Sequence, residues 1–436
     1  MDKTYWSNTE TLNREEIQSI QLKRLQETVS KAYEKVPMYR SKFDEVGLKP
    51  GDIQSLDDLR KIPFTVKDDL RDNYPFGMFA VEKKDLVRIH ASSGTTGKPT
   101  VVGYTKNDLK TWTDLVARIV TKAGVTSDDV AQVAFGYGLF TGAFGLHYGL
   151  EEVGATVVPT SSGNTEKQIM LMKDFGTTAL ISTPTYALHM AEVAEQMSID
   201  PAKDLNIKFG VFGGEGSTEE MRKELEKKWG MVATENYGMS ELIGPGVSGE
   251  CTHKQGMHIA EDHFIVEVIN PETGETLKEG EVGELVITPI SKEALPILRY
   301  RTKDITYLMT DRCSCGRTMA RMAKIQGRSD DMLVIRGVNV FPSQIESVLF
   351  AFEEIGPHYE IVVKRDGYLD KLEISVELID GKLLNSFASL KNLENRIKHD
   401  IHRVLGLHTK IHLVEPKSLK RFTGKAQRVV DLRNEK

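Results

Sequence analysis

The hydrophobic residues near the start of the chain recur every three to four positions. These residues are Ile17, Ile20, Leu25, Val29, Ala32 and Val36. The spacing predicts an amphipathic helix over residues 14–36 that ends before Pro37. From about residue 85 to residue 240, short runs rich in β-branched residues alternate with helical patterns, as at 156–159 and 178–183. This alternation predicts a mostly parallel sheet with helices on its faces.

The pattern changes again in the second half of the chain. Residues 263–310 contain apolar runs joined by Pro/Gly turns, which predict a β-rich subdomain. A separate unit is expected from about Gly327. Its predicted elements are a strand at 331–337, a helix opened by Pro342, an alternating strand at 371–378, a helix with the apolar stripe Leu390, Leu393, Ile397, Ile401 and Val404, and a last strand at 410–415. Because 436 residues exceed one compact core, we expect a large domain of residues 1–327 and a small domain of residues 328–436.

One stretch of the chain imitates a membrane-spanning segment. Residues 130–150 contain no Asp, Glu, Lys or Arg over 21 positions. However, acidic residues rather than Lys or Arg flank the stretch, and five glycines interrupt it. We therefore favour a buried strand that enters a glycine-rich loop.

Composition is that of a globular protein and excludes several classes of function. Hydrophobic residues make up 40% of the chain and charged residues 28%, which are ordinary values. The net charge of −6 provides no positive field for nucleic acid or an anionic membrane. The first ten residues lack the apolar core of a signal peptide, and three cysteines do not make a disulfide framework. We expect a cytoplasmic protein that binds neither nucleic acid nor membranes.

The segment ASSGTTGKPTVVGYT at 91–105 has the composition of a phosphate-binding loop. Two glycines, Gly94 and Gly97, let backbone N–H groups converge on an anion. The side-chain donors of the loop are Ser92, Ser93, Thr95, Thr96 and Lys98. The loop is not a Walker loop, because Pro99 follows the lysine where a Ser or Thr is needed to hold magnesium. Taken alone, the same composition also suits a solvated Ser/Thr/Gly turn.

Further segments carry side chains suited to a nucleotide. In ENYGMSE, the ring of Tyr237 is suited to stack on a base, the hydroxyl of Ser240 to meet a phosphate, and the carboxylate of Glu241 to hold Mg²⁺. The segment YRTKD ends in Asp304, an acid suited to a ribose diol. GRSDD places an arginine and two acids at the expected domain boundary, and Lys425 follows in FTGKAQR. Each segment alone is commonly structural, but their order and spacing together indicate a nucleotide site.

The same segments resemble the ordered core motifs of the adenylate-forming superfamily of acyl-CoA synthetases, luciferases and peptide-synthetase adenylation domains. The matching segments are SSGTTGKP, YGMSE, YRTKD, GRSDD and the GK near the end. Within that superfamily, IPFTVKDDLRDNYPFG, FGYGLFTGAFGLHYG, ITPISKEALPILRYRTKDIT and GRSDDMLVIRGVNVFPSQIE closely resemble the phenylacetate–CoA ligases. The resemblance covers nearly the whole chain. It implies an α/β fold, with a large N-terminal adenylate-forming domain of mixed α/β sheets and a β-rich subdomain, and a small mobile C-terminal α+β domain.

The resemblance implies where ATP binds. The β- and γ-phosphates are expected against the loop 92–98. The other residues expected to bind ATP are Gly214, Glu215, Gly216, Asn236, Tyr237, Gly238, Met239, Asp304 and Arg328. Among them, Tyr237 is expected to stack on the adenine, and Asp304 and Arg328 to hold the ribose.

The resemblance also assigns the chemistry. It implies that Ser240 touches the α-phosphate, that Glu241 coordinates Mg²⁺, and that Lys425 bridges the acid carboxylate and the α-phosphate. Asp330 is implied to be the hinge about which the small domain rotates. These groups suit the reaction, because a carboxylate that attacks ATP is an anion approaching an anion, and cations aimed at the transition state stabilise it.

The acid is expected in an apolar pocket along the glycine-rich segment. The resemblance places an aryl group against Tyr137 and Phe140, with Ile243 and Pro245 opposite. The alternative for Phe140 is an ordinary core position. An apolar pocket separates acids that differ by one methylene only about 10–200-fold, so the sequence does not rank phenylacetate against related aryl acids.

All three cysteines lie in the β-rich region of the sequence. Cys251, Cys313 and Cys315, together with His258, would supply the four N/S ligands of a closed structural zinc site. His253 is the competing histidine ligand, and three reduced core cysteines are the alternative. Because the cysteines fall in two short turns, we favour structural zinc.

The expected function is ATP-dependent activation of phenylacetate, or a close aryl acid, as an acyl-adenylate. Transfer to coenzyme A would then give the thioester, AMP and pyrophosphate. The alternative is an adenylating enzyme that passes the aryl acid to a carrier-protein thiol. A nucleotide-binding regulator of the same fold would be expected to lack Lys425 or Glu241, and both are present. By resemblance alone, we expect a homodimer that serves phenylacetate catabolism.

Overall fold

The computed structural model of the chain describes residues 5–92, 99–335, 338–366, 369–422 and 426–433. The helices are α1 Arg14–Lys35, α2 Pro37–Glu45, α3 Lys67–Asp72, α4 Lys106–Lys122, α5 Gly142–Val153, α6 Thr165–Asp174, α7 Pro184–Gln196, α8 Pro201–Asp204, α9 Glu219–Trp229, α10 Pro342–Leu349 and α11 Phe387–Leu405. The strands are β1 Arg88–Ala91, β2 Val101–Tyr104, β3 Val130–Val133, β4 Thr156–Val158, β5 Ala179–Ser182, β6 Phe209–Phe212, β7 Val232–Met239, β8 Gly244–Glu250, β9 Met257–Ile259, β10 Phe264–Ile269, β11 Gly283–Pro289, β12 Tyr300–Thr306, β13 Leu308–Met309, β14 Arg321–Met322, β15 Gly327–Arg328, β16 Leu333–Ile335, β17 Val338–Val340, β18 Ile355–Asp366, β19 Leu369–Leu378, β20 Lys410–Val414 and β21 Val429–Asp431.

The first predicted helix is confirmed as α1. It begins after Asn13, whose side chain accepts a hydrogen bond from the backbone N–H of Glu16, because the first backbone donors of a helix have no partner within it. The helix ends at Lys35, and Pro37 begins α2. None of the described helices is long and apolar enough to cross a membrane.

The largest sheet has nine strands in the order β13-β14-β9-β8-β7-β6-β5-β3-β4. From β4 to β7 the neighbours run parallel, with helices in the connections between them, so the predicted parallel sheet is confirmed. Beyond β7 the neighbours are antiparallel. The change follows from the chain itself, because β7 and β8 are joined by the short turn 240–243, and a short turn can only return the chain antiparallel.

A second sheet forms the predicted β-rich subdomain. Its four strands are antiparallel, in the order β10-β11-β12-β15. The pairing of β12 with β15 sets Asp304 directly opposite Arg328. Two residues that are 24 positions apart in the sequence therefore become neighbours at the edge of this sheet.

Residues 130–150 only partly follow the sequence prediction. They begin with the buried strand β3, but their second half is the helix α5 rather than a loop. Glycines allow this helix to pack closely on α4: a Cβ at Gly145 would lie 2.5 Å from Cζ2 of Trp112, and a Cβ at Gly149 would overlap Val116. Side chains of α4 thus fill the space beside α5 that a side chain at Gly145 or Gly149 would need.

The C-terminal part of the chain has its own core, built from β16 to β21 and the helices α10 and α11. The predicted stripe on α11 is correct except at its end, where Leu405 is buried and Val404 is 46% exposed. The strand β20 is not the last one. After β20 the chain returns as β21. This strand pairs in parallel with β18, on the edge of β18 that is not paired with β19.

Candidate active site

The turn between β7 and β8 presents the two residues predicted to act on the phosphates. Ser240 and Glu241 are 5% and 4% exposed. The Ser240 hydroxyl lies 2.9 Å from the hydroxyl of Thr141, at the start of α5. In the described part of the chain, Glu241 makes its polar contact through its backbone carbonyl, and its carboxylate makes no hydrogen bond or ion pair, although the Lys292 ammonium attracts it from a longer distance. Because a buried carboxylate is costly without a cation, this position fits a divalent metal ion.

A continuous chain of hydrogen bonds joins the residues predicted to hold adenine and ribose. The hydroxyl of Tyr237 donates to Asp304 at 2.6 Å, and Arg328 donates to the other oxygen of Asp304 at 3.0 Å. Arg328 also donates two hydrogen bonds of 2.9 Å to Asp330. Burial and the negative charge of Asp304 raise the pKa of Tyr237 well above its usual value. Tyr237 lies on the strand β7 itself, whereas Ser240 and Glu241 lie on the turn that follows it.

The segment after β6 leaves open space beside this group. Gly214 has a φ of +83°, and a Cβ there would meet no atom closer than 3.4 Å. A Cβ at Gly216 would meet no atom closer than 3.9 Å. The side chain of Asn236 donates to the carbonyl of Phe212 at 2.8 Å and bounds one side of this space. A flat base fits beside the backbone of Gly214 and Gly216, where no side chain occupies the space.

Two further residues of the hairpin, Gly238 and Met239, face the opposite strand. A Cβ at Gly238 would overlap the backbone carbonyl of Gly244, so the two strands approach each other more closely here than any other residue would allow. Met239 pairs with Gly244 in the ladder and is partly buried. Both residues therefore shape the hairpin that carries the turn.

Ser92 closes the base of the predicted phosphate loop. Its hydroxyl accepts from the N–H of Thr100 at 3.0 Å, and its own N–H donates to the Thr100 carbonyl at 2.9 Å. The remaining predicted residues of this loop, together with the predicted catalytic lysine, lie outside the described residues; they are Ser93, Gly94, Thr95, Thr96, Gly97, Lys98 and Lys425.

The four residues predicted to line the acid pocket do not share one environment. Ile243 and Pro245 are buried in and next to β8. Tyr137 is half-buried, with its hydroxyl 3.0 Å from Nδ1 of His147. Phe140 is 44% exposed, so the alternative of an ordinary core position is wrong.

The ring of Phe135 connects the predicted acid and adenine regions. It is 7% exposed, and it lies where a Cβ on Gly142 or on Gly214 would meet it, at 3.8 Å and 3.4 Å. Sequence reasoning missed this residue. The available signal was its position two residues after a buried strand and directly before a glycine, at the edge where ligands bind in parallel sheets.

Lys292 is a second residue that sequence reasoning missed. It is 3% exposed and donates to the carbonyl of Glu241 at 3.3 Å. Burial lowers the pKa of Lys292 to about 8. No sequence signal marked it, because a lysine in a polar stretch such as ISKEA is ordinarily exposed.

The C-terminal unit docks on the amino-terminal half of α7 and on Glu215. One oxygen of Glu215 accepts from the N–H of Thr185 at 2.8 Å, and the other accepts from the N–H of Ala426 at 3.0 Å. Arg428 donates to the hydroxyl of Thr185 at 3.0 Å. These contacts bring the chain segment next to Lys425 to the predicted adenine region.

A charged contact reinforces this docking. Glu192 on α7 lies 2.8 Å from Nε2 of His358 and 3.4 Å from Nε of Arg421. Burial would raise the pKa of Glu192, but the nearby imidazole of His189, the hydrogen bond with His358 and the charge of Arg421 outweigh it and hold the pKa well below the usual value. The carboxylate therefore stays charged and contacts both the imidazole of His358 and the guanidinium of Arg421.

The three cysteines and one histidine meet at one point. The ligand atoms of Cys251, His258, Cys313 and Cys315 all lie within 4.8 Å of one another. The Sγ atoms of Cys251 and Cys313 are 3.8 Å apart, and Sγ of Cys315 is 3.4 Å from Nε2 of His258. His253 is not part of this group. Tetrahedral zinc with bonds of 2.0–2.3 Å separates its ligand atoms by about 3.5–3.8 Å, so the group fits zinc.

Comparison with known protein families agrees with this arrangement. Residues 14–290 match the AMP-binding enzyme family, and residues 337–433 match the AMP-binding enzyme C-terminal domain. The chain belongs to the AMP-binding enzyme family, and the expected fold is confirmed.

Within that family the chain is similar to curated phenylacetate-coenzyme A ligases. It is 50% identical to the one of Escherichia coli (strain K12), over 98% of this chain and 97% of that protein. It is 48% identical to the one of Thermus thermophilus, over 98% and 99%. The resemblance inferred from the motifs is confirmed.

Solved structures of a 2-hydroxyisobutyryl-CoA ligase distinguish two arrangements of the chain. Its postadenylation state with an acyl-AMP matches with a TM-score of 0.93 at 30% identity, over 99% of this chain and 93% of that chain. Its thioesterification state with an acyl-AMP and CoA matches at the same identity and coverage with a TM-score of only 0.73. The present arrangement is therefore more similar to the postadenylation structure of that ligase than to its thioesterification structure.

Proposed function

We propose that this chain is an AMP-forming acid–thiol ligase that activates phenylacetate, or a close aryl acid, with ATP and transfers the acyl group to coenzyme A. The observation that carries the proposal is the hairpin β7–β8. It sets the carboxylate of Glu241, which makes no hydrogen bond or ion pair with a described residue, on the same element as Tyr237, which is hydrogen-bonded to Asp304 and through it to Arg328. The two relatives named above, at 50% and 48% identity, supply the substrate class.

The proposed roles follow the geometry of the described residues. Adenine would lie on Tyr237 beside Gly214, Glu215 and Gly216, and the ribose against Asp304 and Arg328. Glu241 would hold Mg²⁺, which supplies positive charge next to the phosphates. Ser240, whose hydroxyl is held by Thr141, would contact the α-phosphate.

The chemistry runs in two steps. In the first, a carboxylate oxygen of the acid attacks the α-phosphorus of ATP, and pyrophosphate leaves; fixing both reactants in one cleft makes the step effectively unimolecular. Lys425, proposed by resemblance, would neutralise the developing charge. In the second, the thiolate of coenzyme A attacks the acyl carbon of the mixed anhydride, and AMP leaves.

The second step requires a different face of the small domain. We propose domains of residues 1–327 and 328–436, with a hinge at Asp330, which is exposed and bound only by the side chain of Arg328 among its described polar contacts. The two TM-scores support two alternative arrangements in a relative. Rotation at the hinge would withdraw Lys425 and open a path for the thiol.

A panel of acids tests the proposed function. Pyrophosphate release is measured for phenylacetate, hydroxyphenylacetates and benzoate, each with and without coenzyme A. Phenylacetate is expected to give the highest kcat/KM, with free coenzyme A converted to thioester. If adenylation occurs but free coenzyme A gives no thioester, the carrier-protein alternative is favoured instead.

Lys425→Ala tests the assignment of the two steps. We expect loss of adenylation, while purified phenylacetyl-adenylate and coenzyme A still give the thioester at close to the wild-type rate. Equal loss of both steps would contradict the proposed role of Lys425.

We further propose that Cys251, His258, Cys313 and Cys315 hold a structural zinc ion. The spacing of their ligand atoms supports this proposal, and four protein ligands leave no open position for catalysis. Elemental analysis after metal-free purification should find close to one zinc per chain. Its absence from folded, active protein would remove the proposal.

The remaining expectations concern the state of the protein in the cell. We propose a cytoplasmic homodimer that acts on small molecules and binds neither nucleic acid nor membranes; the resemblance and the net charge of −6 support this. Light scattering at known concentration tests the dimer, and a monomeric mass would contradict it.

A further inference from the structure

Three side chains from outside the hairpin β7–β8 donate hydrogen bonds to its turn and to the start of β8. They reach every second carbonyl: Lys292 Nζ to Glu241 at 3.3 Å, the Tyr104 hydroxyl to Ile243 at 2.9 Å, and Trp112 Nε1 to Pro245 at 2.7 Å. All three donors are at most 3% exposed. A turn that is buried beside a ligand site is thus fixed from behind at three points.

The three donors form one packed unit. The rings of Tyr104 and Trp112 are stacked, with centroids 4.9 Å apart and an interplanar angle of 13°. The ammonium of Lys292 lies 4.9 Å from the centroid of Tyr104, which is within cation–π distance. Trp112 occupies the space that a Cβ on Gly145 or Gly244 would need. The unit therefore packs directly against α5 and the turn, and it includes Lys292 from the loop that follows β11.

The position of Lys292 is not explained by an ion pair. No carboxylate of the described chain lies within 4 Å of its ammonium. The nearby carboxylate of Asp108 accepts instead from the backbone N–H groups of Thr105, Glu293 and Ala294, at 2.6–3.0 Å. Burying an ammonium costs several kcal/mol unless it is bound. The direct contacts that offset this cost are the ring of Tyr104 and the carbonyl of Glu241, and the carboxylates of Asp108 and Glu241 add attraction from beyond ion-pair distance.

We propose that Lys292 and the pair Tyr104–Trp112 are positioning residues that set the two ends of the turn separately. Lys292 fixes the backbone of Glu241 and so aims its carboxylate at the metal and the phosphates. Tyr104 and Trp112 fix Ile243 and Pro245, on the side of the acid. The inference rests on the proposed function, because it assigns one end of the turn to Mg²⁺ and ATP and the other end to the acid.

The division predicts a separation of kinetic effects between two variants. Lys292→Met keeps the length and removes the donor, and we expect it to raise the Mg²⁺ concentration for half-maximal adenylation about tenfold, with the KM for phenylacetate within about twofold. Tyr104→Phe keeps both ring contacts and removes only the hydroxyl. We expect it to raise the KM for phenylacetate about fivefold and to leave the Mg²⁺ dependence unchanged.

Binding without turnover provides a second measurement. The rise in Tm caused by Mg²⁺ with α,β-methylene-ATP is compared between variants. It should shrink in Lys292→Met and stay at the wild-type size in Tyr104→Phe. If Lys292→Met does not fold, Lys292→Leu replaces it, since its side chain also lacks a donor, and the same comparison applies.

The two variants decide the proposal. It is supported when Lys292→Met changes the Mg²⁺ dependence alone and Tyr104→Phe changes the KM for phenylacetate alone. It is overturned when both variants shift both parameters together, or when the Tm of the free protein falls while Mg²⁺ dependence, KM and ligand-induced stabilisation stay as in the wild type. Wild-type enzyme that adenylates no aryl acid would refute the proposed function instead, and the Mg²⁺–nucleotide stabilisation would then still decide the role of Lys292.

Discussion

Replacing Glu192 by glutamine removes the charge that holds the C-terminal unit on α7. The carboxylate contacts Nε2 of His358 at 2.8 Å and Nε of Arg421 at 3.4 Å, with 20% of its side chain exposed. A hydrogen bond to a charged group contributes about 1.5–3 kcal/mol, and a partly exposed ion pair up to about 1 kcal/mol. Because glutamine still accepts one hydrogen bond, we expect a loss of roughly 1–2 kcal/mol, a factor of about 5–30 in the docked population.

The loss should affect the two half-reactions unequally. The docked arrangement corresponds to the postadenylation state of the relative, so phenylacetate-dependent ATP–pyrophosphate exchange should fall. Thioester formation from supplied phenylacetyl-adenylate should stay constant or rise. Glu195→Gln is the matched control, since Glu195 lies on the same helix but pairs with Lys228. Unchanged exchange in Glu192→Gln, or an equal fall in the control, would refute the role of this contact.

Three other substitutions test the geometry of the site. Gly238→Ala places a Cβ against a backbone carbonyl of the facing strand and should destabilise the fold by about 1–3 kcal/mol in urea unfolding; Gly51→Ala, where a Cβ meets no atom within 4 Å, should change stability little. Tyr237→Phe removes the hydrogen bond to Asp304 and should raise the KM for ATP about fivefold, while a shift confined to the acid KM would argue against a nucleotide role. Cys315→Ser should lower the bound zinc and the Tm together, and full metal content in this variant would exclude Cys315 as a ligand.

Elements governed by local pattern were predictable from the sequence. The strands β3, β5 and β6 follow from short apolar runs that end near Gly or Pro, and α1 follows from its period and from Pro37. The helix α5 was missed because Gly145 and Gly149 lower helix propensity. Its stability comes from close packing on Trp112 and Val116 of α4, and this tertiary contact has no local signature.

The residues of the candidate site likewise separate into those that the sequence predicted and those that it did not. Tyr237, Asp304 and Arg328 were predicted through the order of their motifs, although no spacing rule indicates that they form one hydrogen-bonded chain. Lys292 and Phe135 were not predicted. Their roles depend on burial next to the turn and the glycine segments, and a lysine or phenylalanine in isolation gives no indication of which groups will surround it.

The most direct test of the account is isotope exchange between pyrophosphate and ATP with purified enzyme, Mg²⁺ and phenylacetate, in the absence of coenzyme A. If the acid is activated as an acyl-adenylate before the thiol is involved, labelled pyrophosphate enters ATP only when phenylacetate is present. Exchange that requires coenzyme A, or no exchange with any arylacetic acid, would contradict the central claim.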